Sequence, residues 1–417
     1  MNVQKGTATP QKKAEITSLM HGITVIRRRT HMKQKLTGLV ILILAFAGCA
    51  APPKKPEGTA FYPPAPELPR IQYLTFLTSE KDLGESQSAF DRFVVGEKKT
   101  VRLDKPYGIA FYKDKIYVCD TNRTVMVFDL EKRTLTQLQG AQGPGKLVQP
   151  LNISIDADGN KYVTDPIRGQ VVIFDKTDSF VSAVGTPGIW KPVDAVVFED
   201  RLYVVDIKNA LIKVFDKATG TPIKEFGRQG EPTEMLAMPT NLAFDKDGYL
   251  YISDAGRFQV VKFDRDGHFI SAIGKIGANP AHFSRPRGVT FDREDRMYVV
   301  DAAFNNVQMF NKEAQLLLFF GKGGTAAGDL YLPAKVAIGY DSIKYFQKHA
   351  DPDFEIEYLI AVTSQFEKKL VNIYAFGKQK GKKYPSDEVL KKDLREKLQK
   401  LMEQEKPEKM EDVQKEN

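Results

Sequence analysis

Cysteine, tryptophan and histidine are all scarce in this chain. Two cysteines, Cys49 and Cys119, are too few for a disulfide framework in 417 residues. Past residue 48 only three histidines remain, His268, His282 and His349, at unrelated places in the sequence. That argues against a histidine-rich metal centre, and no His-x-x-x-His, Gly-x-Ser-x-Gly or phosphate-binding loop occurs. The apolar run at 36–47 (LTGLVILILAFA) is too short to span a bilayer. Charge of one sign is also missing beyond the N-terminus. Residues 1–48 hold eight Lys or Arg and one acid, which leaves 53 bases against 52 acids in the remainder. The formal charge of +8 therefore says little about nucleic acid, and no basic aromatic stripe suited to RNA is evident.

What the chain does have is a phrase that returns at nearly constant spacing. Its marker prolines are Pro106, Pro150, Pro192, Pro239, Pro286 and Pro333, spaced 44, 42, 47, 47 and 47 residues apart. A Tyr-x-x-Asp element follows at Tyr117–Asp120, Tyr162–Asp165, Tyr203–Asp206, Tyr251–Asp254 and Tyr298–Asp301. Phe128, Phe174, Phe215, Phe263 and Phe310 close each copy. Within 239–274, four short runs rich in Val, Ile, Tyr and Phe are parted by Asp-Lys-Asp-Gly, Asp-Ala-Gly-Arg and Asp-Gly turns. Such runs are too short for helices, and one four-stranded sheet cannot bury both faces alone. Stacking copies around an axis solves this, so the period predicts an all-β, six-bladed propeller with four antiparallel strands per blade. The sixth copy departs: Asp341–Glu357 is an insert, Thr363 replaces the aspartate, and no fourth strand follows Phe376. Ile71–Leu77, upstream of the first copy, is the expected missing strand that closes the ring.

These repeats resemble NHL repeats, and the chain over about residues 70–377 is similar to bacterial six-bladed NHL-repeat lipoproteins. The ends fit that resemblance. Lys33 and Lys35 precede the apolar run, which ends in Phe46-Ala47-Gly48-Cys49 and resembles a lipobox with Cys49 as the lipidated residue. Phe46 departs from the usual leucine. Translation from Met32 would leave a compact signal peptide, so residues 1–48 read as leader. Residues 49–69 hold seven prolines from Ala50 onward and read as an extended tether on a lipid anchor. In two-membrane bacteria Ala50 after the cysteine resembles an outer-membrane sorting signal. Residues 378–417 form a charged tail, with Ser386 capping a helix that carries Leu390, Leu394, Leu398 and Leu401.

Candidate sites are few. The repeated aspartates read as turn formers that satisfy backbone donors, with Arg123, Arg168 and Arg257 placed to pair with three of them. Cys119 reads as a buried inert thiol. Apolar residues before the prolines (Leu147, Trp190, Met235, Phe283, Leu330) read as plugs between blades. Trp190, the single tryptophan, lies in a shorter loop and is singled out as a partner-binding anchor, together with Tyr345, Phe346 and Phe354 of the insert. Two places after each marker proline stand Gly108, Asn152, Asp194, Asn241, Gly288 and Lys335, with Lys335 facing Asp194 across a six-fold ring. Gluconolactonase-like propellers hold Ca²⁺ with such groups, so Asn152, Asp194 and Asn241 form an alternative metal set, against which Lys335 stands. The sequence thus predicts a lipid-anchored scaffold that binds envelope proteins, without catalytic residues, cofactor or nucleic acid. The alternative is a Ca²⁺-dependent hydrolase at the channel mouth.

Overall fold

The computed structural model describes residues 60–84, 100–122, 124–384, 392 and 396. The chain enters through β1 (Phe61–Tyr62) and β2 (Ile71–Leu77), which pair antiparallel. Blade 1 is β3 (Pro106–Tyr112), β4 (Lys115–Asp120), β5 (Val125–Asp129) and β6 (Thr134–Gln137). Blade 2 is β7 (Asn152–Ile155), β8 (Lys161–Asp165), β9 (Gln170–Phe174) and β10 (Phe180–Val184). Blade 3 is β11 (Pro192–Phe198), β12 (Arg201–Asp206), β13 (Leu211–Asp216) and β14 (Pro222–Phe226). Blade 4 is β15 (Pro239–Phe244), β16 (Leu250–Asp254), β17 (Gln259–Phe263) and β18 (Phe269–Ile273). Blade 5 is β19 (Pro286–Phe291), β20 (Met297–Asp301), β21 (Asn306–Phe310) and β22 (Leu316–Phe320). Blade 6 joins β23 (Pro333–Gly339), β24 (Phe354–Ser364) and β25 (Val371–Gln379) to β2 and β1.

The expected ring closure is present. β2 pairs with β25 over Ile71↔Phe376 to Leu77↔Val371, so the two ends of the propeller share one sheet. β1 adds a fifth strand that the sequence did not announce. It lies inside the stretch expected as tether, and Tyr62 donates its hydroxyl to the Gly328 carbonyl at 3.1 Å. The rest of that stretch before residue 60, and Cys49 with it, lie outside the described residues. Of the helix expected from Ser386 only Lys392 and Glu396 are described; both are helical and exposed.

The middle strands of the first five blades are buried almost throughout, as a strand covered on both faces must be. In blade 4 one row runs Leu242, Ile252, Val261, Ala272 across the sheet, and its alternate row runs Ala243, Tyr251, Lys262, Ser271. The rows face opposite neighbours, so the core is a set of layers, one between each pair of adjacent blades. Leu135 and Phe128 of blade 1, for example, share a layer with Leu359 and Ile373 of blade 6.

In the first five blades the repeated Tyr-x-x-Asp staples the second strand. Asp254 accepts the backbone N–H groups of Ala237, Met238, Gly256 and Arg257 at 2.7–3.2 Å. Asp165 does the same for Val148, Gln149, Ile167 and Arg168. At the opposite end the tyrosines reach turn residues: Tyr162 donates to Asp156 at 3.0 Å and Tyr117 to Asp178 at 2.9 Å. The arginines do something other than pair with these aspartates. Arg168 donates to the Lys146 and Pro144 carbonyls and Arg257 to the Met235 carbonyl, because the aspartates are already filled by backbone donors. Arg123 lies outside the described residues.

Candidate functional site

The inner strands β3, β7, β11, β15, β19 and β23 each contact two inner-strand neighbours around the axis. At the level two residues past each marker proline their backbones nearly touch. A Cβ on Gly108 would lie 2.5 Å from Asn152 Cα, and one on Gly288 2.7 Å from Lys335 Cα. Glycine is required there by space. Across the ring the Lys335 ammonium pairs with Asp194 Oδ2, as their positions predict. Asp194 also accepts from Asn241 Nδ2 at 3.0 Å, Leu242 N at 3.2 Å and Ala195 N at 3.1 Å. Asn152 Nδ2 donates to the Val193 carbonyl at 2.7 Å. Asp194, Asn152 and Asn241 are all buried, and Asn152 Oδ1 and Asn241 Oδ1 accept no hydrogen bond from the protein.

This cluster fits an internal ion pair better than a calcium centre. Ca²⁺ takes about six to eight oxygen ligands. Here one carboxylate and two carboxamides face the axis, and the ammonium of Lys335 already holds the carboxylate. The described residues contain no group of three or more His, Cys, Asp or Glu placed to hold a metal. Cys119 is buried beside these strands; burial, then the nearby Asp194 and Asp165, pushes its thiol well up and leaves it inert.

Above the cluster a cavity of about 540 Å³ opens at the end of the ring where first and second strands turn. Its walls come from all six inner strands and its deepest polar group is Lys335. Phe111, Phe198, Phe244, Phe291 and Tyr340, all half-buried, form a collar near its mouth. Phe198 and Phe244 stack at 4.3 Å, and the Arg293 guanidinium lies 3.9 Å from the Tyr340 ring centre.

The opposite end of the ring carries the loops between second and third strands and between blades. Most of the large exposed apolar side chains among the described residues lie in these loops: Val148, Ile167, Ile189, Met238, Ile276, Tyr331 and Phe366 are 43–65% exposed. Tyr331 meets Phe366 edge-on at 6.3 Å, and Lys105 Nζ lies 5.6 Å from the Phe366 ring. Close to the axis Arg287 faces Tyr107 at 5.4 Å and donates to Gln365 at 3.0 Å. Burial raises the Tyr107 hydroxyl and lowers the Arg287 guanidinium from their ordinary values. Sequence reasoning missed this surface because its members come from separate loops in different blades.

The anchors singled out from the sequence sit elsewhere. Trp190 is 4% exposed: its Nε1 donates to the Gly169 carbonyl at 2.8 Å and its ring tilts against Phe215 at 5.6 Å. Gly185, at φ 104°, leaves the room the indole fills, since a Cβ there would lie 2.1 Å from Trp190. Trp190 is therefore a plug between blades, like Leu147, Phe283 and Leu330; in the fourth blade the buried plug is Leu236 rather than Met235. Phe346 and Phe354 are likewise 3% and 1% exposed and join the layer between blades 6 and 1. Their helix α1 (Ile343–Phe346) and the start of β24 wedge the closing blade in place. Tyr345 alone of the insert set stays accessible, half-buried over a groove of about 180 Å³ with Arg133, Lys348 and His349.

No protein-family model matches the chain. Among solved structures, a protein of unknown function from Bacteroides thetaiotaomicron is similar at a TM-score of 0.53 and 15% identity, over 73% of this chain and 75% of that one. Streptogramin B lyase follows at 0.46 and 13%, over 66% and 84%. A catalytically inactive virginiamycin B lyase from Staphylococcus aureus with quinupristin gives 0.42 and 17%, over 65% and 84%. At such identities the likeness is one of fold: this chain is a six-bladed β-propeller.

Proposed function

We propose that this propeller is a display scaffold of the bacterial cell envelope, held by a lipid on Cys49 and engaging a protein partner with its interblade loop face. The lipobox-like run and the NHL-like repeats support the setting. One observation carries the binding face: Val148, Ile167, Ile189, Met238, Tyr331 and Phe366 are exposed at the same end of the ring. A surface of this kind is costly to leave in water and is typical of interaction sites. The surrounding loops add Lys105, Lys146, Lys191, Lys208, Lys275 and Lys322 against fewer acids. Exposed apolar side chains set among loops with more bases than acids fit a partner whose own surface is apolar and acidic.

The test is crosslinking of the native protein in its own membranes, followed by mass spectrometry of what co-purifies. The expected result is a stoichiometric protein crosslinked through Lys191, Lys208 or Lys322. Crosslinks confined to the opposite turns, or none to any protein, would remove this reading. Paired substitution of Tyr331 and Phe366 by Ala should weaken that association by about tenfold or more while the fold persists.

A further inference from the structure

We propose that the central cavity at the turn end of the ring is a second binding site, for a small uncharged ring-containing molecule that carries a hydroxyl or carboxamide. This goes beyond the scaffold role and does not depend on it, because the cavity opens on the face opposite the interblade loops. Its volume, about 540 Å³, lies in the range of small-molecule sites, roughly 300–1,000 Å³. Ile109, Ile153, Val196, Leu242, Val289 and Val336 line it, one from each inner strand, so the body of the ligand must be apolar. The collar of Phe111, Phe198, Phe244, Phe291 and Tyr340 presents ring faces and edges to a flat guest.

The deep end sets the polar group. Ser154 Oγ, in the wall, is buried and has no partner in the protein. Buried acceptors left unfilled are unfavourable, and a donor from a guest relieves that. Asp245, Lys246, Asp292, Arg293 and Asp295 line the cavity where the strands end in turns, whereas the deep cation, Lys335, is already matched by Asp194, so a charged group seated at the deep end would have its own charge uncompensated. A hydroxyl or carboxamide both donates and accepts, and it matches a lining that offers the Lys335 ammonium and the unpartnered Ser154 hydroxyl.

The experiment measures binding of four probes with one ring system to the full-length protein by calorimetry: 2-naphthol, naphthalene-2-carboxamide, naphthalene-2-carboxylate and 2-naphthylmethylammonium. The two neutral probes should bind at least about tenfold tighter than the two ions. Thr290→Phe, which fills the cavity from β19, should abolish binding. Ser154→Ala removes one unfilled acceptor without adding volume and should weaken 2-naphthol by severalfold. The proposal fails if no probe binds at millimolar concentration or if the ions bind as well as the neutral pair. It also fails if both Thr290→Phe and Ser154→Ala, shown folded by an unchanged melting curve, bind like the parent.

Discussion

Asp254 shows how much of the ring hangs on single side chains. Its carboxylate takes four backbone N–H groups from two loops, and alanine there would leave them unfilled in a buried turn. Asp254→Ala should lower stability by about 3 kcal/mol or more, read as the shift of the urea midpoint. Trp190→Ala should cost about 3–5 kcal/mol through the cavity it opens between blades 2 and 3. Partner affinity per folded molecule should be unchanged, which separates a plug from a contact residue. The exposed pair of Asp266 with Lys224 and Arg201 gives a pH signature. Lys224 first, then Arg201, holds this carboxyl down to about 2. Its stabilising share is complete above the ordinary aspartate range near 4 and disappears as pH falls through about 2. Melting temperatures of Asp266→Asn and the parent should therefore converge below about pH 2, with the parent ahead above pH 4. At this scale the sequence was half legible. The role of the repeated aspartates could be read because one residue type recurs at one turn. Trp190 stands in the plug series with Phe283 and Leu330, and its rarity and shorter loop set it apart from them in the sequence although it is buried as they are.

Among elements, closure by β2 is the feature on which the fold depends. Without β2 the edge of β25 and its partners Ile71, Tyr73 and Leu77 would be lost to two core layers at once. A chain beginning at residue 78 should fail to unfold cooperatively, and a peptide of residues 60–77 added in trans should restore it. Trp190 is the only tryptophan and lies between blades 2 and 3, far along the chain from the peptide, so its fluorescence reports folding of the remainder. A truncated chain with full tryptophan burial and no response to the peptide would show that closure is dispensable. The strand itself was legible as the segment that fills a vacant place in the last repeat. β1 was not, since two residues among prolines carry no period, and their pairing is decided by β2 and the Gly328 carbonyl. The insert 341–357 was legible as an irregularity but not as to its purpose. Whether Phe346 and Phe354 face solvent or core depends on the blade 6 and blade 1 layer, which no local pattern encodes.

The propeller has two unlike ends, and the order of strands dictates which loop belongs to which. Turns after the first and third strands gather Asp156, Asp158, Asp245, Asp247, Asp264 and Asp266, and acids outnumber bases there. The loops after the second and fourth strands gather lysine and arginine, and bases outnumber acids. A chain nearly neutral beyond residue 48 thus presents opposite fields at the two ends of its propeller. Such an arrangement orients an approaching partner before contact, and its effect is on the association rate. Raising ionic strength from about 0.05 to 0.2 M should slow association by about tenfold and leave dissociation nearly constant, because the Debye length shrinks below the distance over which these charges act. Reversing two of the basic loop charges, Lys191→Glu with Lys208→Glu, should reproduce the high-salt rate at low salt. Reversing Lys132→Glu with Lys176→Glu in the opposite turns, an equal change of net charge, should not slow it. Stopped-flow or surface-based kinetics with the crosslinked partner would read these rates. A salt-independent rate, or equal slowing by substitutions at both ends, would mean that net charge rather than the set of basic loops governs the encounter.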